Sequence, residues 1–373
     1  MILKCTQWLK QETLLVITFI LAMGSTLVVA PSLDYLKYID WDTLALLTAL
    51  MIVVGGFKTL GLFSAMGKIL LSRVSSQRSI EIVLISACFF SSMIITNDIA
   101  LITFVPFAIE TLDMANMEKK LIPVVVLQTI AANLGSMVTP IGNPQNIYLY
   151  FQSGFSALEF ISLTLPYALV SFGLLMFFIH AKKNKPLEIP PVDEASFAES
   201  KEEKFKALLY TIMFLLCLLS LSKIIPVYMV AAAVVILAAV FDKKVIAGID
   251  YSLLLTFVNF FVFVGNMQHI PMLSDAIVSM VSGNELAAAI GISQVISNVP
   301  AVLLLTGFTN SWKMLIIGSN LGGLGTLIAS MASLISYKYI AKECPDQKMK
   351  YLIIFTVANV IFLATNLLLT MFI

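Results

Sequence analysis

Thr96-Asn97-Asp98-Ile99-Ala100-Leu101 and Ser297-Asn298-Val299-Pro300-Ala301-Val302 are two copies of one short pattern, far apart in the chain. A second matched pair follows without a gap: Asn133-Leu134-Gly135-Ser136-Met137-Val138-Thr139-Pro140-Ile141-Gly142 against Asn320-Leu321-Gly322-Gly323-Leu324-Gly325-Thr326-Leu327-Ile328-Ala329. Both copies place Asn, Gly, Pro and hydroxyls inside runs apolar enough to lie in lipid. Non-helical backbone at membrane depth persists only where protein or a cavity satisfies its polar groups. A duplicated, interrupted helix at that depth is the pattern of a chain built from two repeats around a central polar site.

Composition agrees. Of 373 residues, 59% are hydrophobic and 12% charged, with a mean hydropathy of +0.96. Such a chain needs many spanning helices. The net charge of +1 says nothing about a nucleic-acid partner, and no basic tract is dense enough to suggest one. Cys5, Cys88, Cys217 and Cys344 are scattered without a C-x-x-C spacing and read as free thiols, with no metal site. The first apolar run, Leu14 to Ala30, lacks a clear cleavage site and reads as a retained helix.

Apolar runs predict crossings near 12–30, 41–64, 119–150, 159–181, 206–222, 226–241, 250–270, 312–340 and 349–372, with breaks near 139–144 and 326–330. Residues 80–113 and 285–309 instead read as re-entrant hairpins with tips at Thr96-Asn97-Asp98 and Ser297-Asn298-Val299. The arms of the second are too short to cross hydrocarbon of roughly 30 Å, which takes about 20 residues. With each hairpin returning to its own side, all 23 Lys and Arg except Lys37, Lys223 and Lys313 share one side. That crowded side is cytoplasmic by the positive-inside rule, giving a cytoplasmic N-terminus and an external C-terminus.

Ile39-Asp40, Leu44 and Gly55 match Ile249-Asp250, Leu254 and Gly265 at one constant offset. The expected organisation is an all-α polytopic membrane protein of inverted-topology repeats. Residues 1–38 hold an N-terminal transmembrane helix. Repeat one is 39–181, with its hairpin at 80–113 and its broken helix at 119–150. Residues 182–248 hold a cytoplasmic linker, with an amphipathic stretch from Asp193, and two transmembrane helices. Repeat two is 249–373, with its hairpin at 285–309 and its broken helix at 312–340.

Where a helix breaks within the membrane, N–H and C=O groups lose their helical partners. Free carbonyls and hydroxyls suit a small hard cation, and helix N-termini suit an anion. Asp98 stands out, because an ionisable side chain at membrane depth is by default a functional candidate. It is a candidate proton carrier, or else a structural acid capping the second hairpin arm. Asn143 and Asn146 either line the site or cap the break. Thr139 and Thr326 either contact cargo or bond their own helix.

These motifs resemble the ion transporter superfamily, which includes divalent anion/sodium symporters, citrate transporters, arsenite permeases and sodium/proton antiporters. The resemblance covers both repeats. The fragment Thr139-Pro140-Ile141-Gly142-Asn143-Pro144-Gln145-Asn146 is its most specific part and looks most like the bacterial anion-permease branch. The resemblance implies one sodium or coupling-ion site at Ser92, Thr96, Asn97 and Gly142, and a second at Ser293, Ser297, Asn298 and Ala329. It also implies cargo held between the tips by Asn97, Asp98, Asn298 and Val299, with Thr139, Asn143 and Thr326 beside them. The symporters carry threonine at both third tip positions, where this chain has Asp98 and Val299. Arsenite permeases are similar to this chain in having Asn-Asp there.

The expectation is a secondary active transporter, of elevator type by resemblance, moving a small inorganic oxyanion or carboxylate on a sodium or proton gradient. Arsenite-type efflux and sodium/proton exchange stay open within that class, and an ion channel is the alternative outside it. An enzyme is not expected, since HExxH, GxSxG and paired-aspartate motifs are missing from the spanning segments. No cofactor is expected beyond Na+ as a coupling ion. The implied setting is a homodimer in the bacterial plasma membrane. Its scaffold would be the crossings near 41–64, 206–241 and 250–270 with the last helix of each repeat.

Overall fold

The computed structural model describes residues 12–71, 74–181, 184, 186 and 197–373. Among them the secondary structure is helical, apart from one isolated bridge between Ser76 and Pro186. The chain starts with α1 (Thr13–Ser25) and the short α2 (Tyr35–Tyr38). It continues through α3 (Trp41–Thr59), α4 (Leu62–Leu71), α5 (Gln77–Ile95), α6 (Asn97–Met114), α7 (Glu118–Ser136), α8 (Pro144–Ser153) and α9 (Ala157–His180). A middle section holds α10 (Lys201–Leu221), α11 (Val227–Phe241) and α12 (Lys243–Ala247). The last part runs through α13 (Tyr251–Gln268), α14 (Pro271–Val281), α15 (Glu285–Ile296), α16 (Asn298–Leu305), α17 (Trp312–Gly322), α18 (Met331–Glu343) and α19 (Lys348–Thr370). Most of the expected linker, including Asp193, and the cations Lys4, Lys10, Arg73, Lys182, Lys183 and Lys185 lie outside the described residues.

Local chemistry sets the helix boundaries. Asp40 caps α3 by accepting the Thr43 N–H at 3.0 Å, and the matched Asp250 caps α13 by accepting that of Leu253 at 3.0 Å. Ser200 and Glu203 form a capping box, which starts α10 ahead of the apolar run beginning near 206. The helix expected over 41–64 is interrupted: Gly61, at φ 75°, turns the chain so that α4 leaves α3 as a separate helix. The expected crossing at 12–30 is shorter in the structure, because α1 stops at Ser25. Hydropathy also gave no sign of α14, which Pro271 opens at its first turn.

Six described helical stretches are long and apolar enough to cross a bilayer: 41–59, 77–95, 157–180, 201–221, 251–268 and 345–370. Five coincide with expected crossings. The sixth is α5, the first arm of the expected hairpin at 80–113, so that arm is longer than a shallow re-entrant loop needs. α5 and α6 pack against each other and reverse at Thr96.

Buried apolar residues form two clusters. One gathers α5, α6 and α7 with α9, α18 and α19. The other gathers α3, α8, α10, α11 and α13 with α15, α16 and α17. This differs from the expected scaffold. The last helices of the two halves, α9 and α19, pack on each other and on α7. Phe178 stacks on Phe362 at 5.9 Å, and Asn366 donates to Ser171 at 3.0 Å. Apolar length alone marks such helices as spanning and says nothing about which neighbour they cover.

Candidate functional site

Two helix junctions carry the same unusual backbone. Thr96, between α5 and α6, has φ 73° and ψ 150°; Ser297, between α15 and α16, has φ 76° and ψ 155°. That region is close to glycine-only, and holding another residue there costs of order 1–3 kcal/mol. The surroundings supply matching restraints. The Asn97 N–H donates to the Gly142 carbonyl at 3.1 Å, and the Asn298 N–H donates to the Ala329 carbonyl at 3.0 Å. Thr139 Oγ1 donates to the Met93 carbonyl, as Thr326 Oγ1 does to the Gln294 carbonyl. Ser92 and Ser293 each bond back into their own helix and lie against Gly135 and Gly322, respectively. Each junction is thus pinned to a stretch where the next long helix stops: residues 137–143 between α7 and α8, and 323–330 between α17 and α18.

The two stretches are joined by carboxamides. Asn133 accepts from Asn97 Nδ2 at 3.0 Å and from Ser330 Oγ at 3.0 Å. It donates to the Gly323 carbonyl and to Ser333 Oγ, both at 3.4 Å. Asn320 accepts from Asn143 Nδ2 at 3.0 Å and donates to Asn146 Oδ1 at 2.8 Å. Asn143 also caps α8 by accepting the Asn146 N–H at 3.0 Å. All of these side chains are buried. A buried network is stable only when its members are satisfied, and this one exchanges bonds between the two halves of the chain.

The structure therefore brings together Ser92, Thr96, Asn97, Thr139, Gly142 and Asn143 around the first junction. It brings together Ser293, Ser297, Asn298, Thr326 and Ala329 around the second. Asp98 stands in the first turn of α6, with its Oδ1 buried and unbonded. Val299, its counterpart, packs into the second apolar cluster. Thr326 is exposed, and both its N–H and its hydroxyl are taken by Gln294. The hydroxyls of Thr139 and Thr326 thus tie each interruption to the helix before its junction, α5 and α15, respectively.

Sequence reading gave no role to Asn133, Asn320 or Ser330. The signal for the first two was present, since Asn133 and Asn320 open the two aligned stretches. A carboxamide inside an otherwise apolar helix needs a partner, and a partner from the opposite half is visible only in three dimensions.

Four helices, α6, α8, α16 and α18, begin at these junctions and interruptions. Their N-termini carry partial positive charge, while the first N–H of α6 and of α16 is already bonded to Gly142 and Ala329, respectively. Backbone carbonyls face the same region from Gly142 and Ala329. The arrangement offers donors to an anion or a polar neutral solute and oxygens to a small cation. Lysine and arginine are absent from both junctions and both interruptions.

A family model described as a citrate transporter matches residues 2–311, a stretch holding both junctions and the first interruption. The inner membrane protein YbiR of Escherichia coli is 31% identical over 308 residues, 80% of each chain. An uncharacterized transporter of Methanocaldococcus jannaschii is 31% identical over 313 residues, 82% of this chain and 83% of that protein. A silicon efflux transporter of Oryza sativa subsp. japonica is 33% identical over 143 residues, 38% of this chain and 29% of that protein. The chain belongs to the citrate transporter family and is a membrane transporter.

Proposed function

We propose that this protein is a secondary active transporter of a small anion, an inorganic oxyanion or carboxylate, coupled to a sodium or proton gradient. The observation that carries the reading is the duplicated pinning of Asn97 to Gly142 and of Asn298 to Ala329. It concentrates helix ends of both signs at one buried centre built from both halves. Inverted repeats bearing re-entrant hairpins and broken helices would account for that duplication. A site shared by two such halves is suited to alternating access rather than to a continuous pore. The apolar contact of Ile141, Ile147 and Val299 with α3 and α13 is a surface along which an elevator could slide. The same reading takes the protein to be a homodimer in the bacterial plasma membrane, with the N-terminus inside and the C-terminus outside.

Asp98 favours a second reading, efflux of a weakly charged or neutral oxyacid. Its carboxylate would repel an anion at the tip unless it carries a proton. A relative named as a silicon efflux transporter fits that reading. The test is uptake of citrate, arsenite and silicic acid into proteoliposomes, with sodium and pH gradients imposed separately. Gradient-driven accumulation of one solute supports a carrier. Currents beyond carrier turnover, without coupling to either gradient, would overturn it in favour of a channel.

A further inference from the structure

Each interruption is held by one carboxamide, but the two come from different places. At the first, Asn146 Nδ2 of α8 donates to the carbonyls of Ser136, Met137 and Thr139 at 3.3, 3.4 and 3.1 Å. At the second, the carboxamide is that of Gln294 in α15. Its Nε2 donates to the carbonyls of Gly322 and Leu324 at 3.0 and 2.9 Å, and its Oε1 accepts the Thr326 N–H at 2.8 Å. Gly325 has φ 115°, and a Cβ there would lie 2.3 Å from that Oε1, so glycine is what lets the chain pass over the carboxamide.

The matched positions carry different chemistry. At one constant offset Ser92, Thr96 and Asn97 face Ser293, Ser297 and Asn298, which sets Gln294 opposite Met93. A thioether has no N–H to give. Among the described residues, the hydrogen bonds between the α5–α6 pair and residues 137–143 are those of Thr139 Oγ1 to the Met93 carbonyl and of the Asn97 N–H to the Gly142 carbonyl. If α5 and α6 draw back, the carbonyls of the first interruption keep Asn146. If α15 and α16 draw back, the carboxamide leaves with them and strands two carbonyls and an N–H, which is costly where lipid offers no replacement.

The space beside the two junctions differs in the same sense. A cavity of about 200 Å3 lies at the first, lined by Ile94, Thr96 and Ile99 of the α5–α6 pair and by Ile141, Pro144 and Ile147 of the interruption and α8. It has room for several waters, which can take up the few groups that parting would free. At the second junction Val299 and Val302 are buried in the apolar cluster that includes Ile141, Ile147 and residues of α3 and α13.

We propose that Gln294 is a positioning residue that makes α15, α16, α17 and the second interruption one rigid body, so that cargo is admitted at the first junction, where α5 and α6 part from residues 137–143. This deepens the transporter reading and rests on it only for the cargo. The second half-site is then presented preformed, and the first is completed on closure.

The test needs no solute: hydrogen exchange of the purified protein in lipid nanodiscs, resolved to single amides. The Asn97 and Asn298 N–H groups make the same bond, at 3.1 and 3.0 Å, to matched carbonyls, so their protection relative to intrinsic rates compares the two openings. Asn298 should be protected at least about five-fold more than Asn97, the factor that one net hydrogen bond is worth. Gln294→Met gives the second half the residue of the first at nearly the same side-chain volume. It should bring Asn298 down toward Asn97, while Asn97 itself and the amide of Tyr210 in α10 stay as they were. Equal protection of Asn97 and Asn298 in the unaltered protein overturns the proposal, and that comparison decides even where Gln294→Met does not fold. Protection of Asn298 that survives Gln294→Met also overturns it, as does a loss shared by Tyr210, which would make Gln294 a contributor to overall stability alone. Unequal protection as expected, in a protein that drives no solute, would instead overturn the transporter reading and leave the role of Gln294 standing.

Discussion

Asn143 donates through Nδ2 to Oδ1 of Asn320 at 3.0 Å, joining the interruption in one half of the chain directly to a helix of the other. Asn320 in turn donates to Asn146 and to the carbonyl of Ile316, both at 2.8 Å, so its carboxamide is fully engaged.

Asn320→Ala should cost about 1–3 kcal/mol, because it strands the buried amides of Asn143 and Asn146 rather than only deleting a bond. Denaturation of the purified protein would measure the loss. A midpoint equal to the parent's would show that the bridge contributes nothing to the joining of the halves.

Asn97→Ala and Asn298→Ala should abolish gradient-driven uptake while the protein stays folded. Each keeps the backbone N–H that pins its junction and removes only the carboxamide facing the centre. Uptake at the parent's rate in both variants, once a solute is identified, would remove these two residues from the site.

Gly142→Ala should be far more damaging than Gly173→Ala. A Cβ on Gly142 would lie 1.9 Å from the Ser136 carbonyl oxygen, which is backbone and cannot swing aside, whereas one on Gly173 meets nothing within 4 Å. The first change should cost about 1–3 kcal/mol or more through overpacking. The second should be neutral or stabilising by up to about 1 kcal/mol. Equal effects on stability would contradict the tight approach at the first interruption.

Tyr148→Phe should loosen the contact of α8 with the end of α16 by removing its bond to Thr306. A loss of about 1 kcal/mol corresponds to roughly a five-fold shift in a two-state population. A cysteine introduced at Val299, in a background without the native cysteines, should then react several-fold faster with an impermeant thiol reagent added from the side of Asp40. An unchanged rate would show that this bond does not restrict access to Val299.

Much of this centre was legible in the chain. Asn, Gly and Pro clustered inside apolar runs favour a break in helical hydrogen bonding, and their repetition located both junctions and both interruptions. Capping residues were legible for the same reason, since Asp40 and Asp250 act within three residues of their own position. What sequence could not supply was anything that depends on a partner distant along the chain. The crosswise bonds of Asn133 and Asn320, the grouping of α9 and α19 with the hairpin helices, and the turn at Gly61 that frees α4 from α3 all arise from packing. Hydropathy in a membrane chain records only that a segment is apolar, because lipid and protein neighbours are equally apolar and select the same residues. The sequence alone thus determined an all-helical membrane chain with two duplicated polar breaks. Only the tertiary structure decided which carboxamides face one another, because that depends on how helices far apart in the chain come to share one buried space.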